Sequence, residues 1–256
     1  MKLGLNMYSL NKLIKTDEGY LETLKKLKEM GYSFIQFSGR EFNADLIKRG
    51  VEETGLPVCL THSPYDRILN DSDKLMEDHA KFNCKNIGLG VLDYSLYFDE
   101  KLFKDTMKKL NDVAEKFAKN GFKFFVHNHN NEFTKLSNGQ TLYDYMIENC
   151  PYFNFTVDTY WLQLGGVHIL EYLDKIKGRI ECVHLKDLMV VYNPNTYMFD
   201  PKIAPLGDGN LNFSDIIAKC KEGGTEYFLV EQDNACTFED PLSQVERSIK
   251  YINKNF

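Results

Sequence analysis

Short runs rich in Val, Ile, Leu and Phe recur along the chain, and each is followed by a longer stretch in which apolar residues return every three or four positions. The short runs read as buried strands and the longer stretches as helices with one inward face. Eight strand candidates fit, at 3–9, 33–38, 57–62, 86–91, 123–128, 154–159, 180–186 and 227–232. The spacing of Phe103, Met107, Leu110, Ala114 and Phe117 predicts a helix over 100–120, stopped by Gly121. Asp240-Pro241 predicts an N-cap with proline at the first helical position, opening a last helix with Leu242, Val245, Ile249 and Ile252 on one stripe. Eight such pairs in 256 residues match an α/β chain folded as a (β/α)8 TIM barrel, because open doubly wound sheets more often stop at about five to seven strands. No linker or composition break divides the chain, so a single domain over 1–256 is expected.

Composition removes several function classes. Lys+Arg 31 against Asp+Glu 37 gives a net charge of -6, and no basic run offers a track for a phosphate backbone, so nucleic acid is not an expected partner. No stretch approaches the ~18 apolar residues of a membrane span, and the first residues carry no signal-peptide pattern. The six cysteines are scattered without a C-x-x-C pair, which suits free thiols and a cytoplasmic location.

The polar residues that close the strands carry the candidate chemistry, since barrel enzymes work at the C-terminal ends of their strands. Strand three ends in His62, strand five in His127 and His129, strand six in Asp158, strand seven in His184 and Lys186, and strand eight in Glu231 and Asp233. Side chains alternate along a strand, so two inward layers result. The deeper one is His127, Asp158, His184 and Glu231, and the one nearer the mouth is His129, Tyr160, Lys186 and Asp233. Nitrogen and oxygen donors from four successive strands at one depth suit one divalent ion: Mn²⁺, Co²⁺, Zn²⁺ or Mg²⁺. Ordinary strand-end polarity is the alternative for any one of these positions taken alone.

At these residues the chain resembles the sugar phosphate isomerase/epimerase family of xylose isomerase-like TIM barrels, whose superfamily includes inosose dehydratase and endonuclease IV. The resemblance rests on MYSL (7–10), THSPY (61–65), HNHNNEF (127–133), VDTYWLQLGG (157–166), CVHLKD (182–187), PLGDGNLNF (205–213) and VEQD (230–233), spread over nearly the whole barrel. It implies a divalent metal held from strands five to eight, with Asp158, His184 and Glu231 matching three ligand positions. The fourth departs: many relatives carry a glutamate where this chain has His127-Asn128-His129. Strand parity favours His127 as the fourth ligand, and Glu132 is the reserve ligand or base.

The implied reaction is isomerisation or epimerisation of a ketose or keto-cyclitol by proton transfer next to the carbonyl, with an inosose dehydratase-like lyase as the rival. Both begin when a base takes the α-proton of a polarised carbonyl compound. Glu231 or Glu132 is the expected base, and Lys186 or His62 the group that donates to or steadies the enolate oxygen. Lys186 in a structural ion pair with Asp158 or Glu231 is the alternative to that role. His62, His129, Trp161 and Asp233 are expected substrate contacts, with core packing the alternative for Trp161. An endonuclease is disfavoured because strand four ends in Gly88-Leu89-Gly90, position 161 is Trp161 and the charge is negative; a non-catalytic sugar-binding barrel is a further alternative. Residues 188–206, with Tyr192, Tyr197 and Phe199, are too long for an ordinary connection and read as a lid or a subunit contact, and the resemblance implies a homo-oligomer. Gly207-Asp208-Gly209 reads as a turn, with phosphate cradling by its amides as the weaker alternative.

Overall fold

A computed structural model describes residues 1–256. Eight parallel strands close into a barrel: β1 (Gly4–Asn6), β2 (Phe34–Phe37), β3 (Val58–His62), β4 (Asn86–Leu89), β5 (Lys123–His127), β6 (Phe153–Asp158), β7 (Cys182–Leu185) and β10 (Tyr227–Val230). Around the ring each strand pairs with its sequence neighbours, and β10 closes on β1 through Gly4 opposite Leu229 and Leu5 opposite Val230. The outer layer holds α1 (Asp17–Met30), α2 (Ala44–Thr54), α3 (Tyr65–Asn70), α4 (Ser72–Ala80), α5 (Glu100–Lys119), α6 (Leu142–Asn149), α7 (Thr159–Leu164), α8 (Ile169–Lys175), α9 (Phe213–Glu222) and α10 (Pro241–Asn255). The expected (β/α)8 fold is the one observed.

Two helices show why the spacing was informative. Phe103, Met107, Leu110, Ala114 and Phe117 are all buried on α5, and Gly121 follows at φ +75°, a left-handed turn that favours glycine. Asp240 caps α10 by accepting from the amides of Leu242 and Ser243, with Pro241 at the first helical position. Strands are shorter than expected at their ends. Residues 3–9 yield only Gly4–Asn6, because Met7–Leu10 winds into a 3₁₀ turn held at its start by the Asn6 side chain.

Inside the barrel, Phe34, Cys59, Leu60, Phe125, Cys182 and Leu229 form a separate buried cluster below the mouth. Phe125, Cys182 and Leu229 lie two residues before His127, His184 and Glu231. The alternation that fills the barrel floor with apolar groups therefore aims the next inward residue of each strand into the mouth. All six cysteines are free and buried, and no helix is long and apolar enough to cross a membrane.

The long connection after β7 is neither loop nor helix. It folds into an antiparallel two-stranded ribbon, β8 (Asp187–Asn193) and β9 (Met198–Ala204), separate from the barrel sheet.

Candidate metal centre and active site

His127, Asp158, His184 and Glu231 are buried together, each offering one ligand atom, and those atoms all lie within 4.8 Å of one another. Each residue has its other polar atom tied to the framework. The Nδ1–H of His127 donates to the Gly90 carbonyl at 3.2 Å, and the Nε2–H of His184 donates to Gln36 Oε1 at 2.7 Å. Asp158 Oδ1 accepts from the amides of Tyr160 and Trp161, and Glu231 Oε1 accepts from Asn6 Nδ2 at 2.7 Å. What remains is His127 Nε2, Asp158 Oδ2, His184 Nδ1 and Glu231 Oε2, four buried atoms turned toward one another, the two carboxylate oxygens also facing the Lys186 ammonium. His184 Nδ1 and Glu231 Oε2 approach to 2.6 Å, where two lone pairs repel unless a proton or a metal cation lies against them.

The charge balance favours a cation. The Lys186 ammonium, fully buried, lies 2.8 Å from Asp158 Oδ2, 3.3 Å from Glu231 Oε2 and 3.1 Å from Asp233 Oδ1. Three carboxylates against one ammonium leave two negative charges uncompensated. Burial works to raise the Asp158 and Glu231 carboxyls, yet the Lys186 charge, with the adjoining imidazoles, outweighs it and holds both below the ordinary carboxylate range. For Asp233 burial wins, aided by repulsion from Glu231, and its carboxyl is pushed up to about 6. Burial would lower Lys186, but the three carboxylates carry it above the ordinary lysine value. Burial also depresses His127 to about 4, so its imidazole is neutral near pH 7, the form that ligates. A His₂/carboxylate₂ donor set with its outer atoms braced fits a divalent ion.

The mouth above is a cavity of about 340 Å³ reached by Tyr8, His62, His129, Lys186 and Asp233. His62 enters it because β4 continues into Gly90: a Cβ there would stand 2.5 Å from His62 Nδ1. His129 packs against the His127 ring at 4.7 Å and against Trp161 at 5.3 Å, and the Lys186 ammonium lies 5.4 Å from the Trp161 ring. Trp161 thus forms an apolar side of the site. A larger recess of about 490 Å³ lies outside, between the α7–α8 turn and the start of α9. Its one histidine, His168, is used to cap α8, so the chemistry belongs to the smaller cavity.

Sequence reading and structure part at Glu132. Its side chain is fully buried, but Tyr97 OH donates to Oε1 and the His129 amide donates to Oε2 at 2.6 Å. Both oxygens are engaged in holding the loop after β5, and Glu132, expected as reserve ligand or base, lies outside the four-residue cluster. Lys186 is placed in the ion-paired position, against Asp158 and Glu231 together. The amides of Gly207 and Gly209 are not free to cradle phosphate, because both donate to Asp187 Oδ2, at 2.9 and 3.0 Å. Four contributors were missed: Asn6, Gln36, Tyr97 and Asp187. Asn6 is the last residue of β1 and Gln36 the last but one of β2, and both lie inside the longer strands expected at 3–9 and 33–38, so the strand-end rule passes over them.

Fold and site together define a (β/α)8 barrel with a buried His/Asp/Glu cluster at its C-terminal mouth that could hold a metal. Residues 24–255 match the model of the xylose isomerase-like TIM barrel family, and the chain belongs to that family. Among characterised proteins it is similar to an inosose dehydratase of Clostridium perfringens, 23% identical over 245 residues covering 91% of this chain and 81% of that protein. It is also similar to a 3-dehydro-D-guloside 4-epimerase of Escherichia coli, 22% identical over 266 residues covering 92% and 94%. In three dimensions a sugar phosphate isomerase/epimerase of Parabacteroides distasonis superposes with a TM-score of 0.77 at 23% identity, covering 99% of this chain and 98% of that one. These relatives carry epimerase and dehydratase names.

Proposed function

We propose that this chain is a divalent-metal-dependent enzyme that moves a proton next to the carbonyl of a keto sugar or keto-cyclitol, as an isomerase or epimerase. The observation that carries this reading is the convergence of four buried ligand atoms on His127, Asp158, His184 and Glu231 within 4.8 Å of one another, each residue braced from behind. A divalent ion held there supplies Lewis-acid polarisation of the substrate carbonyl. Glu231 is the base that takes the α-proton, and the Lys186 ammonium, beside the same oxygens, donates to the oxygen on which enolate charge develops. His62 Nε2 and His129 Nδ1, buried and unpartnered, are left to bind substrate hydroxyls. Trp161 gives the ring an apolar wall, and Asp233 pairs with the Lys186 ammonium at 3.1 Å.

A lyase reading has its own support. His127 stands where two-carboxylate epimerases carry a glutamate, and one of the similar proteins is an inosose dehydratase. Elimination needs a base and one acid to protonate the departing hydroxyl, a demand that Glu231 and Lys186 meet without a second carboxylate.

The test is proton exchange in D₂O, followed by NMR, with a panel of 3-keto-glycosides and inososes and added Mn²⁺. Metal-dependent loss of the α-proton signal is expected, abolished in Asp158→Asn together with bound metal measured by elemental analysis. Epimer formation identifies the isomerase, and a conjugated enone absorbing in the ultraviolet identifies the lyase. Full metal occupancy in Asp158→Asn, or metal-bound wild-type protein that exchanges no proton from any member of the panel, would sink the proposal.

A further inference from the structure

The β8–β9 ribbon has two unlike faces. Its register sets Leu188 opposite Ile203, Val190 opposite Pro201 and Tyr192 opposite Phe199. Side chains alternate along each strand, so these six residues share one face, and none is charged. Asp200 and Lys202 lie on the other face, with Met189 and Val191. The apolar face is half-buried at its base and opens toward the tip: Val190 is 53% exposed, Tyr192 48% and Phe199 70%. The Tyr192 and Phe199 rings pack against each other at 5.4 Å, and Tyr197, 80% exposed, extends the patch at the turn.

The ribbon's base is fixed. Asp187 anchors it, Asn210 donates its amide to the Leu188 carbonyl at 2.7 Å, and Asn234 Nδ2 donates to the Ile203 carbonyl at 2.9 Å. Beyond that base β8 and β9 pair only with each other. An isolated two-stranded ribbon is marginally stable in water, and a contiguous exposed apolar patch of this kind marks a contact surface.

We propose that this face is a two-fold interface, in which the ribbon of one chain packs face to face against the same ribbon of a second copy. A two-fold contact sets a patch against itself, so charge on it would meet like charge. This face carries none, while Asp200 and Lys202 mark the opposite face of the same ribbon. The area also suffices. With fully buried aromatics contributing ~150–250 Å² each, the exposed parts of Val190, Tyr192, Tyr197, Phe199 and Pro201 amount to roughly 500 Å² per copy, or about 1,000 Å² for the pair, the lower bound for a specific interface.

The experiment is sedimentation equilibrium on the full chain, with far-UV circular dichroism and thermal melts as folding controls. The wild-type chain is expected at twice the mass of one copy. The double variant Val190→Glu/Phe199→Glu, charged on the apolar face, is expected at the mass of one copy with spectrum and melt retained. Val191→Glu, charged on the opposite face, is expected to stay paired. Phe199→Ser, which introduces no charge, is expected to weaken pairing about tenfold, as loss of an aromatic anchor does. A wild-type chain of single mass well above micromolar concentration, pairing that survives both glutamates, or equal loss of pairing in Val191→Glu would each overturn the proposal.

Discussion

Replacing Asp187 by asparagine isolates one carboxylate that joins three segments. Asp187 is fully buried; its Oδ1 accepts from the amides of Leu188 at 2.8 Å and Leu211 at 3.2 Å, and its Oδ2 from those of Gly207 and Gly209 at 2.9 and 3.0 Å. Gly209 has to be that close: a Cβ on it would lie 2.4 Å from Asp187 Oδ1. The asparagine oxygen can serve one pair of amides, while its NH₂ turns donors toward the other pair. Two hydrogen bonds to a charged acceptor, at ~1.5–3 kcal/mol each, are lost, or ~3–6 kcal/mol. Part of this is returned, because burial pushes the Asp187 carboxyl above its ordinary range despite the four amides, and a neutral amide is cheaper to bury.

The net loss expected is about 3 kcal/mol. At ~2.1 cal/mol/K per residue, a chain of this length unfolds with roughly 0.5 kcal/mol/K of entropy, so Tm should fall by about 6 °C. Differential scanning calorimetry reads the shift, and amide hydrogen exchange should show Gly207, Gly209 and the ribbon base losing protection first. A Tm within about 2 °C of wild type would refute the four-amide account, since no pair of bonds to a charge is worth so little.

Two further outcomes are expected. Gln36→Leu removes the acceptor that keeps the His184 proton on Nε2, and should weaken metal binding ~10–100-fold in competition with a chromogenic chelator; unchanged affinity would remove Gln36 from that role. His79, buried on α4 between the Leu75 carbonyl and Thr61 Oγ1, is depressed by desolvation from 6.5 to about 4. The unfolded chain therefore binds the proton more readily, and the contribution of His79 is whole above pH 6.5 and lost as the pH falls toward 4, by about 3 kcal/mol in all. His79→Gln should flatten the decline of Tm between pH 7 and 5, and a decline as steep as wild type would count against it.

The strand-end residues were legible because a strand has a period of two and the barrel has one inside. Once Phe125, Cys182 and Leu229 are read as inward, His127, His184 and Glu231 must be inward as well, and the ends of successive strands must meet. Glu132 fell outside that rule. It lies in a 3₁₀ turn beyond the end of β5, and its direction is decided by Tyr97, a partner 35 positions earlier on another loop. Asp187 has no role legible in its motif, because three of its four partners lie 20 to 24 positions ahead and all four are backbone amides, which no side-chain pattern records.

The braces behind the cluster depend on contacts more distant still. Asn6 reaches Glu231 across 225 positions and Gln36 reaches His184 across 148. Closure of the barrel brings β1 beside β10 and so sets Asn6 against Glu231, while β2 stands across the barrel mouth from β7. Nothing local in either strand signals those partners. A ligand can thus be read from the strand that carries it, whereas the group that selects which of its two polar atoms faces the metal can be read only from the closed ring. That difference is why Gln36→Leu tests more than one hydrogen bond: it asks whether a strand on the far side of the barrel helps to prepare the centre, as Asn6 does from β1.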